Sequence, residues 1–482
     1  MKPDISGEFD IRLGDGRKIT CCTVWDALCA EVGKYSPDKV ETITGVPAEE
    51  LAVVARFYTQ SKPASIHWGV PIDMTPAVTP LCQAIADLWG LTDNLDIPGG
   101  NVFSRFAFDA VAYALPGAEG VIKLKSKAQD KPRIGAHRYG PFNKFIWRTQ
   151  TDLTLEQILS EKPYPIKGLW IQTCNLLGNI GLDPKRWREG LEKVEFIVAV
   201  DLFQSSTTQY ADVVLPAATF LEKDGVRSWW VPLQSINKAI TVDDCKPDVE
   251  INFELAKRFD PTFKWNTIHD LFDEIIRPSG MTFKQLQKCG WAFPPEGHPS
   301  SPYHRHIRGL LRADKKPGLN TRTGLFELYS TLREDWGLNP LPHHEEPPFT
   351  PVSRPDLAGN YPLILSTGRR SPVYFHSEHR QIPWLRAIEP DPVVEIHPDT
   401  AARHSIGNGE WVCVENWMGR AKFKAKVTLV VPRWMLMATH AWWFPEKKGS
   451  EPPLYGTWEH NINMLMPNGK AGQRWIRCPN KA

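Results

Sequence analysis

The chain has 482 residues, 57 basic against 55 acidic for a net charge of +2, with 42% hydrophobic and 23% charged residues. This suits a globular protein of roughly two to four domains. The absence of any dense basic run argues against a nucleic-acid footprint. No apolar run reaches the ~20 residues that a membrane helix needs, and the opening MKPDISGEFDIRLGDG lacks a signal-peptide core. The 42 Pro and 19 Trp predict long ordered loops and aromatic-lined clefts. The nine cysteines (Cys21, Cys22, Cys29, Cys82, Cys174, Cys245, Cys289, Cys413 and Cys478) are scattered with no C-x-x-C pair, which predicts free thiols rather than a disulfide framework or a zinc knuckle.

In chain order, residues 24–60 have helical spacing, with PAEELAVVARFYTQS opening on Pro and two acids, and Lys62-Pro63 ends that run. ASIHWGV (64–70) reads as a short buried strand and TPLCQAIADLWGL (79–91) as a helix. Residues 104–165 read as loop with short helices. The next block is clearer. GLWIQTC (168–174) is a strand, PKRWREGLEKV (184–194) a helix, EFIVAVD (195–201) a second strand and YADVVLPA a third. Strand, loop, helix, strand predicts a doubly wound α/β sheet, which binds ligands at the carboxyl ends of its strands. DVEINFELAKRF is a further helix and 351–360 a linker. Beyond 361, YPLILSTG, VVEIHP, EWVCVENW, RAKFKAKVTLVV and WMLMATHAWW are β-type runs and predict a barrel-like all-β domain. The division expected is 1–103, 104–350 and 351–482.

Asn175, Asp201 and Asp212 read as strand-end positions that would cluster on one edge of the parallel sheet. There a carboxylate can accept two N–H groups from a guanine-type edge or hold a ribose diol; each could equally cap a helix or tie a turn. DIPGGN (96–101) has paired glycines but no phosphate-loop pattern, and turning the chain is its expected task. STGRRSPVYFHSEHR (366–380) puts Gly368, Arg369, His376, His379 and Arg380 directly after a strand, a density of donors that favours ligand binding. His376 and His379 have zinc-compatible spacing but no third ligand. Asn461 and Asn463 could read a heteroaromatic edge or serve turns. No G-x-S-x-G element is present.

Several ordered stretches resemble the molybdopterin oxidoreductases of the dimethyl sulfoxide reductase family. EFIVAVDLFQSSTTQYADVVLPAATFLEKDG resembles the family's strand–Asp–Thr-rich turn followed by Ala-Asp-Val-Val-Leu-Pro. GLNTRTGLFELYS resembles its Thr-x-Thr-Gly-x-x-Glu element, and YPLILSTGRR with VVEIHPDTAARHSIGNGEWVCVEN resembles the start of its C-terminal dinucleotide-binding barrel, of double-psi type. RSWWVPLQSINKAI, CKPDVEINFELAKRF and HAWWFPEKKG resemble a branch that includes catechol dehydroxylases, pyrogallol transhydroxylase and acetylene hydratase.

The resemblance implies a bis-molybdopterin guanine dinucleotide carrying Mo or W. Asn175, Asp201 and Thr207 match dinucleotide-contacting positions, Thr367, Gly368 and Arg369 the loop that approaches a pterin, His376 a polar residue of the same segment, and Asn463 a C-terminal Asn near a pterin. The family's Thr-Glu-Thr turn is Ser205-Ser206-Thr207 here, which puts contacts from the two serines in question. Asp212 then reads as a structural pin of that turn. Met1 is expected to fall inside the family's length, so the iron–sulfur segment and the metal ligand are expected in an N-terminal half-protein or a partner subunit. Cys174 is rejected as metal ligand because it lies at the dinucleotide end of a strand, and no metal ligand is assigned here. His67, Trp68, Trp229, Trp230 and His440 are candidate funnel residues for a small organic substrate, with structural packing as the competing role. The alternatives are a split-gene product that binds cofactor or a partner without turnover, and an ordinary nucleotide-binding dehydrogenase.

Overall fold

The computed structural model describes residues 4–69, 72, 78–103, 106–110, 133–135, 149–228, 232–242, 244–295, 297–300, 302–369 and 371–467. Trp229 and Trp230 lie outside them, as does much of 104–165. No described helix is long and apolar enough to cross a membrane.

The chain opens with a hairpin that the sequence reading did not anticipate. Strands β1 (Glu8–Arg12) and β2 (Lys18–Cys22) pair antiparallel from Glu8↔Cys22 to Arg12↔Lys18, around a turn with Gly16 at φ +88°. Helices Val24–Val32, Pro37–Thr44 and Ala48–Gln60 follow. Thr23 and Ser36 cap the first two by accepting from Asp26 N–H and Lys39 N–H.

The segment 64–69 joins no sheet. The strand expected there is replaced by a different solution for its backbone groups. Ala64 N–H donates to Asn94 Oδ1 (3.0 Å), Ile66 N–H to Asn101 Oδ1 (2.9 Å), and Asn101 Nδ2 returns a bond to Ile66 carbonyl (3.0 Å). Two asparagine amides thus stand in for a neighbouring strand. Helix Val78–Leu91 follows as expected.

The central block is a parallel three-stranded sheet in the order β3 (Gly168–Gln172), β4 (Phe196–Asp201), β5 (Val213–Pro216). Helix Pro184–Lys193 crosses between β3 and β4. Its Trp187 and Leu191 pack with Leu155 and Ile158 of helix Thr151–Ser160, and with Ile171, Leu177 and Ile197. The described strands wind in one direction only. The reversal of order that defines a doubly wound sheet is not among them.

A small antiparallel sheet, β6 (Gly225–Arg227), β7 (Leu233–Ile236) and β8 (Trp291–Ala292), packs on helices Ile268–Ile276 and Phe283–Cys289 around Leu233, Phe272, Ile276 and Phe283.

The C-terminal unit is a mixed five-stranded sheet, β11 (Trp411–Asn416), β12 (Gly419–Val427), β10 (Val393–Ile396), β13 (Met435–Thr439), β9 (Ile364–Arg369) in spatial order. It curls into a half-barrel rather than a closed barrel, because β11 and β9 do not pair. In β12, Ala421, Phe423 and Ala425 turn inward between outward Arg420, Lys422 and Lys426. The turn Ile462–Leu465, not another strand, fills this core beside Val394, Phe423 and Ala438.

Candidate functional site

The carboxyl end of β3 runs into a single wide π-turn, Leu176–Ile180, closed by Gly181 N–H to Leu176 carbonyl at 2.7 Å. Asn175 heads this turn. Its Oδ1 accepts from Gly178 N–H (3.1 Å) and from the Thr207 hydroxyl (2.8 Å), while Thr207 Oγ1 accepts from Leu177 N–H (3.0 Å). Gly178 is required here, since a Cβ would stand 2.4 Å from Asn175 Nδ2.

The C-terminal segment clasps the same turn from the other side. Asn461 Nδ2 donates to the carbonyls of Leu177 (3.3 Å) and Gly178 (2.7 Å), and Asn463 Nδ2 to those of Asn179 (2.7 Å) and Gly181 (3.1 Å). Ser206 and Thr457 share a 2.5 Å hydrogen bond. Ser206, Thr207, Thr457, Asn461 and Asn463 are all buried, so one polar network joins the parallel sheet to the half-barrel.

Three of the expected residues, Asn175, Thr207 and Asn463, are therefore brought together. Asn463, however, spends its amide on backbone carbonyls. Ser206, Thr457 and Asn461 complete the network. Ser206 stood in the sequence as part of the Ser205-Ser206-Thr207 turn with its contacts in question, and it bonds Thr457, which no sequence signal singled out.

Asp201 ends β4 on the same edge and accepts from Leu202 N–H at 2.8 Å. Burial is the main force pushing its carboxyl up, and nearby Glu378 and Asp248 add to it against bonds from Leu202 and Phe203 N–H. Cys174 lies beside it, with its thiol pushed up to about 11 by burial and the Asp201 charge, so it is held as a neutral thiol.

Asp212 is not at this edge. It precedes β5, and in a parallel sheet that is the opposite, amino end. There Asp212 Oδ2 accepts from Ile197 N–H (2.7 Å) and its own N–H donates to Ile197 carbonyl (2.9 Å). It pins β5 to β4 rather than tying the turn, and the expected three-residue cluster at one edge is corrected to Asn175 and Asp201.

The second expected group lies on β9 and the loop behind it. Arg369 is committed within the half-barrel. It bonds Glu389, lies 3.4 Å from Glu395 and donates to Thr439 Oγ1 at 3.2 Å. Thr367 is half-buried, and Gly368 is exposed with only Ser366 Oγ near its missing Cβ (3.2 Å).

His376, at φ +51°, meets His440 through a 2.9 Å Nδ1···Nε2 bond. The buried Arg380 holds both backbones, donating to His376 carbonyl (2.6 Å) and His440 carbonyl (3.3 Å) while lying 4.7 Å from the rings of Tyr374 and Trp442. Glu378, within the 376–380 loop, is what brings this group into electrostatic contact with Asp201. His379 is exposed, and no group of metal-ligating side chains forms among the described residues.

The donor set at the strand ends fits a guanine-bearing dinucleotide. Asn175 Nδ2 is buried with no partner, beside a desolvated carboxylate that could accept a pair of N–H groups.

Comparison with known proteins decides the lineage. The family described as Molybdopterin oxidoreductase matches residues 38–258, and the "Molydopterin dinucleotide binding domain" matches 363–472. The chain belongs to the dimethyl sulfoxide reductase family of molybdopterin oxidoreductases. It is 28% identical over 536 residues to dopamine dehydroxylase of Eggerthella lenta, covering 93% of this chain and 51% of that protein. It is 29% identical over 477 residues to acetylene hydratase of Syntrophotalea acetylenica, covering 92% and 63%. The solved acetylene hydratase from Pelobacter acetylenicus superposes with a TM-score of 0.82 at 26% identity, over 94% of this chain and 64% of that one. The chain thus spans about half to two thirds of the length of these relatives.

Proposed function

We propose that this chain is the C-terminal portion of a molybdenum or tungsten bis-pyranopterin guanine dinucleotide enzyme. In this reading it holds the cofactor and shapes the funnel for reductive dehydroxylation, or hydroxyl or oxygen transfer, on a small organic substrate. The observation that carries the proposal is the unpartnered Asn175 amide beside Asp201, at the carboxyl ends of a parallel sheet already clasped to the half-barrel. The names of the two relatives, a dehydroxylase and a hydratase, support a hydroxyl-centred substrate chemistry.

In this reading Asn175 and Asp201 take the guanine and ribose edge, and Thr207 fixes the Asn175 amide. Asn463 acts through the turn it holds. Thr367 and Gly368 offer an open backbone edge to a pterin, Arg369 braces that edge from within, and His376 faces the same segment. The bound metal supplies the two-electron or oxygen-transfer chemistry. His67, Trp68 and His440 line the approach, and the other two funnel candidates, Trp229 and Trp230, lie outside the described residues. The divisions 1–103, 104–350 and 351–482 belong to the same proposal. So do an N-terminal half-protein or an electron-transfer subunit carrying the iron–sulfur cluster.

The test is co-production of the chain with the remainder of the enzyme, followed by assay of Mo, W and pterin and of GMP released by acid. Metal, pterin and GMP should co-purify with the wild type, and GMP should be lost from an Asn175→Ala, Asp201→Ala double variant. Wild-type protein that binds NAD tightly but yields no pterin would overturn the assignment, as would full GMP in the double variant. Cofactor retention without turnover would select the non-catalytic alternative.

A further inference from the structure

We infer that Asp96 and His306 form a proton-accepting pair, in which Asp96 is a positioning residue and His306 Nε2 takes a proton from a hydroxyl of the substrate. The inference rests on the hydroxyl-centred reading above.

Asp96 is fully buried, and its Oδ2 accepts both the backbone N–H of His306 (2.9 Å) and ring Nδ1 (2.7 Å). Nδ1–H given to a carboxylate fixes the tautomer that leaves Nε2 bare as an acceptor. The imidazole is 35% exposed while its carboxylate is 0% exposed, so the ring is the accessible member of the pair.

Holding this pair is costly. Asp96 sits at φ +62° and meets His304 at φ +53°, whose N–H donates to Asp96 carbonyl at 2.8 Å. Asp96 Oδ1 is buried with no hydrogen-bond partner. The loop around it is tightly closed. Asp96 N–H donates to Asn101 carbonyl at 2.6 Å, and a Cβ on Gly100 would stand 2.4 Å from Asn94 carbonyl. The paired glycines of DIPGGN serve this close approach. An exposed turn would close the chain without a buried carboxylate or two left-handed residues.

The Asp96 loop is also bonded to the segment that carries two candidate funnel residues. The loop that presents Asp96 fixes the 64–68 segment through Asn94 and Asn101, which brings in His67 and Trp68, and Trp68 packs on Trp89 at 5.6 Å. The turn leading to His306 is tied to the 106–110 segment. Ser300 Oγ accepts from Phe108 N–H (3.2 Å), and Ala107 N–H donates to the carbonyl of Ser228. The charged groups near His306 are Asp96 on the facing loop, Arg305 and Arg308 on its own turn, and Lys315 and Lys316 on the segment that returns to bond the His306 carbonyl through Gly318 N–H.

The step is a proton transfer with no redox change. The substrate O–H bond breaks, the Nε2–H bond forms, the oxygen keeps the electron pair, and the imidazolium charge faces the Asp96 carboxylate.

Long-range proton–nitrogen NMR of the histidine-labelled full chain tests the geometry without any cofactor. His306 should carry its proton on Nδ1 near neutral pH, Asp96→Asn should move it to Nε2, and catechol, used as probe, should shift the Nε2 signal. In the holoenzyme, His306→Gln should lower kcat on a catechol substrate by ~100-fold with KM held within about threefold, and should remove the acid limb of the pH–rate profile. An Nε2–H tautomer in the wild type, a catechol-insensitive signal, or kcat within about twofold of wild type in His306→Gln overturns the pair's role. Loss of metal and pterin from the wild type instead overturns the functional reading, so the two failures are distinguishable.

Discussion

The strand-end cradle and the first ninety residues handle polar and apolar groups in opposite ways. In the cradle, amides and hydroxyls are buried, and Asn461, Asn463, Thr207 and the Ser206–Thr457 pair bond either backbone or each other. In the first ninety residues, helix Ala48–Gln60 buries no residue, and Val53, Val54 and Phe57 are 57%, 65% and 73% exposed. The hairpin likewise exposes Phe9, Ile11 and Ile19, whereas Asp87 in helix Val78–Leu91 is buried with Oδ2 unpartnered. The difference teaches where this chain specifies its own structure. Satisfied buried polar groups fix one arrangement of the cradle, and the exposed apolar face adds nothing to the stability of the chain that bears it.

The largest expected effect comes from opening the clasp. Asn461→Ala removes two bonds to the 177–178 carbonyls and the one it accepts from Asn463 N–H (2.9 Å), all in a buried site. Unsatisfied buried carbonyls make this costly, about 3–5 kcal/mol by urea denaturation. A loss below about 1 kcal/mol would mean that water replaces the amide and that the cradle is not specified by this network.

A change of opposite sign is expected at Asp87. Burial pushes its carboxyl up to about 7, from an ordinary 3.8, and its Oδ2 has no hydrogen-bond partner to offset this. The unfolded chain therefore releases this proton first. As pH rises from about 4 to about 7 the unfolded state gains, and Asp87 costs stability throughout that window and above it. Asp87→Asn should stabilise the protein on the order of 2 kcal/mol at alkaline pH and have little effect in acid. A variant whose gain does not depend on pH would show that the carboxylate finds a partner in solution.

These contrasts follow what was legible in the sequence. The strands β3 to β5 and β9 to β13 announced themselves, because β-branched runs bounded by Gly and Pro carry their own period. So did helix Asp248–Phe259, whose acids stand in the first turn and Lys257 and Arg258 in the last. The hairpin at 8–22 was invisible, because its strands are exposed on both faces and show no buried side.

The 64–68 segment failed for another reason. Its backbone partners are the side chains of Asn94 and Asn101, some thirty residues on, and no local pattern encodes that. Within the site, Asn175 and Asp201 could be placed because each follows a strand directly. Asp212 misled because an acid beside a strand looks alike at either end until the parallel register is known. The engagement of Arg369 by Glu389 and Glu395 was equally out of reach, since one carboxylate follows helix Pro383–Ile388 and the other lies on β10.

The smallest effect should come from the exposed face, where Phe57 is 73% accessible. Phe57→Ser removes an aromatic side chain that lies on the surface of this chain, so its stability should change by no more than about 0.5 kcal/mol. Leu191, packed in the sheet core at 2% exposure, gives the control: Leu191→Ala should cost about 2–5 kcal/mol in the same urea titration. The ratio of these two losses measures how far the first ninety residues are decoupled from the cradle. If Phe57→Ser cost more than about 1 kcal/mol, that face would be packed within the chain in solution, and the contrast between the two regions would fall.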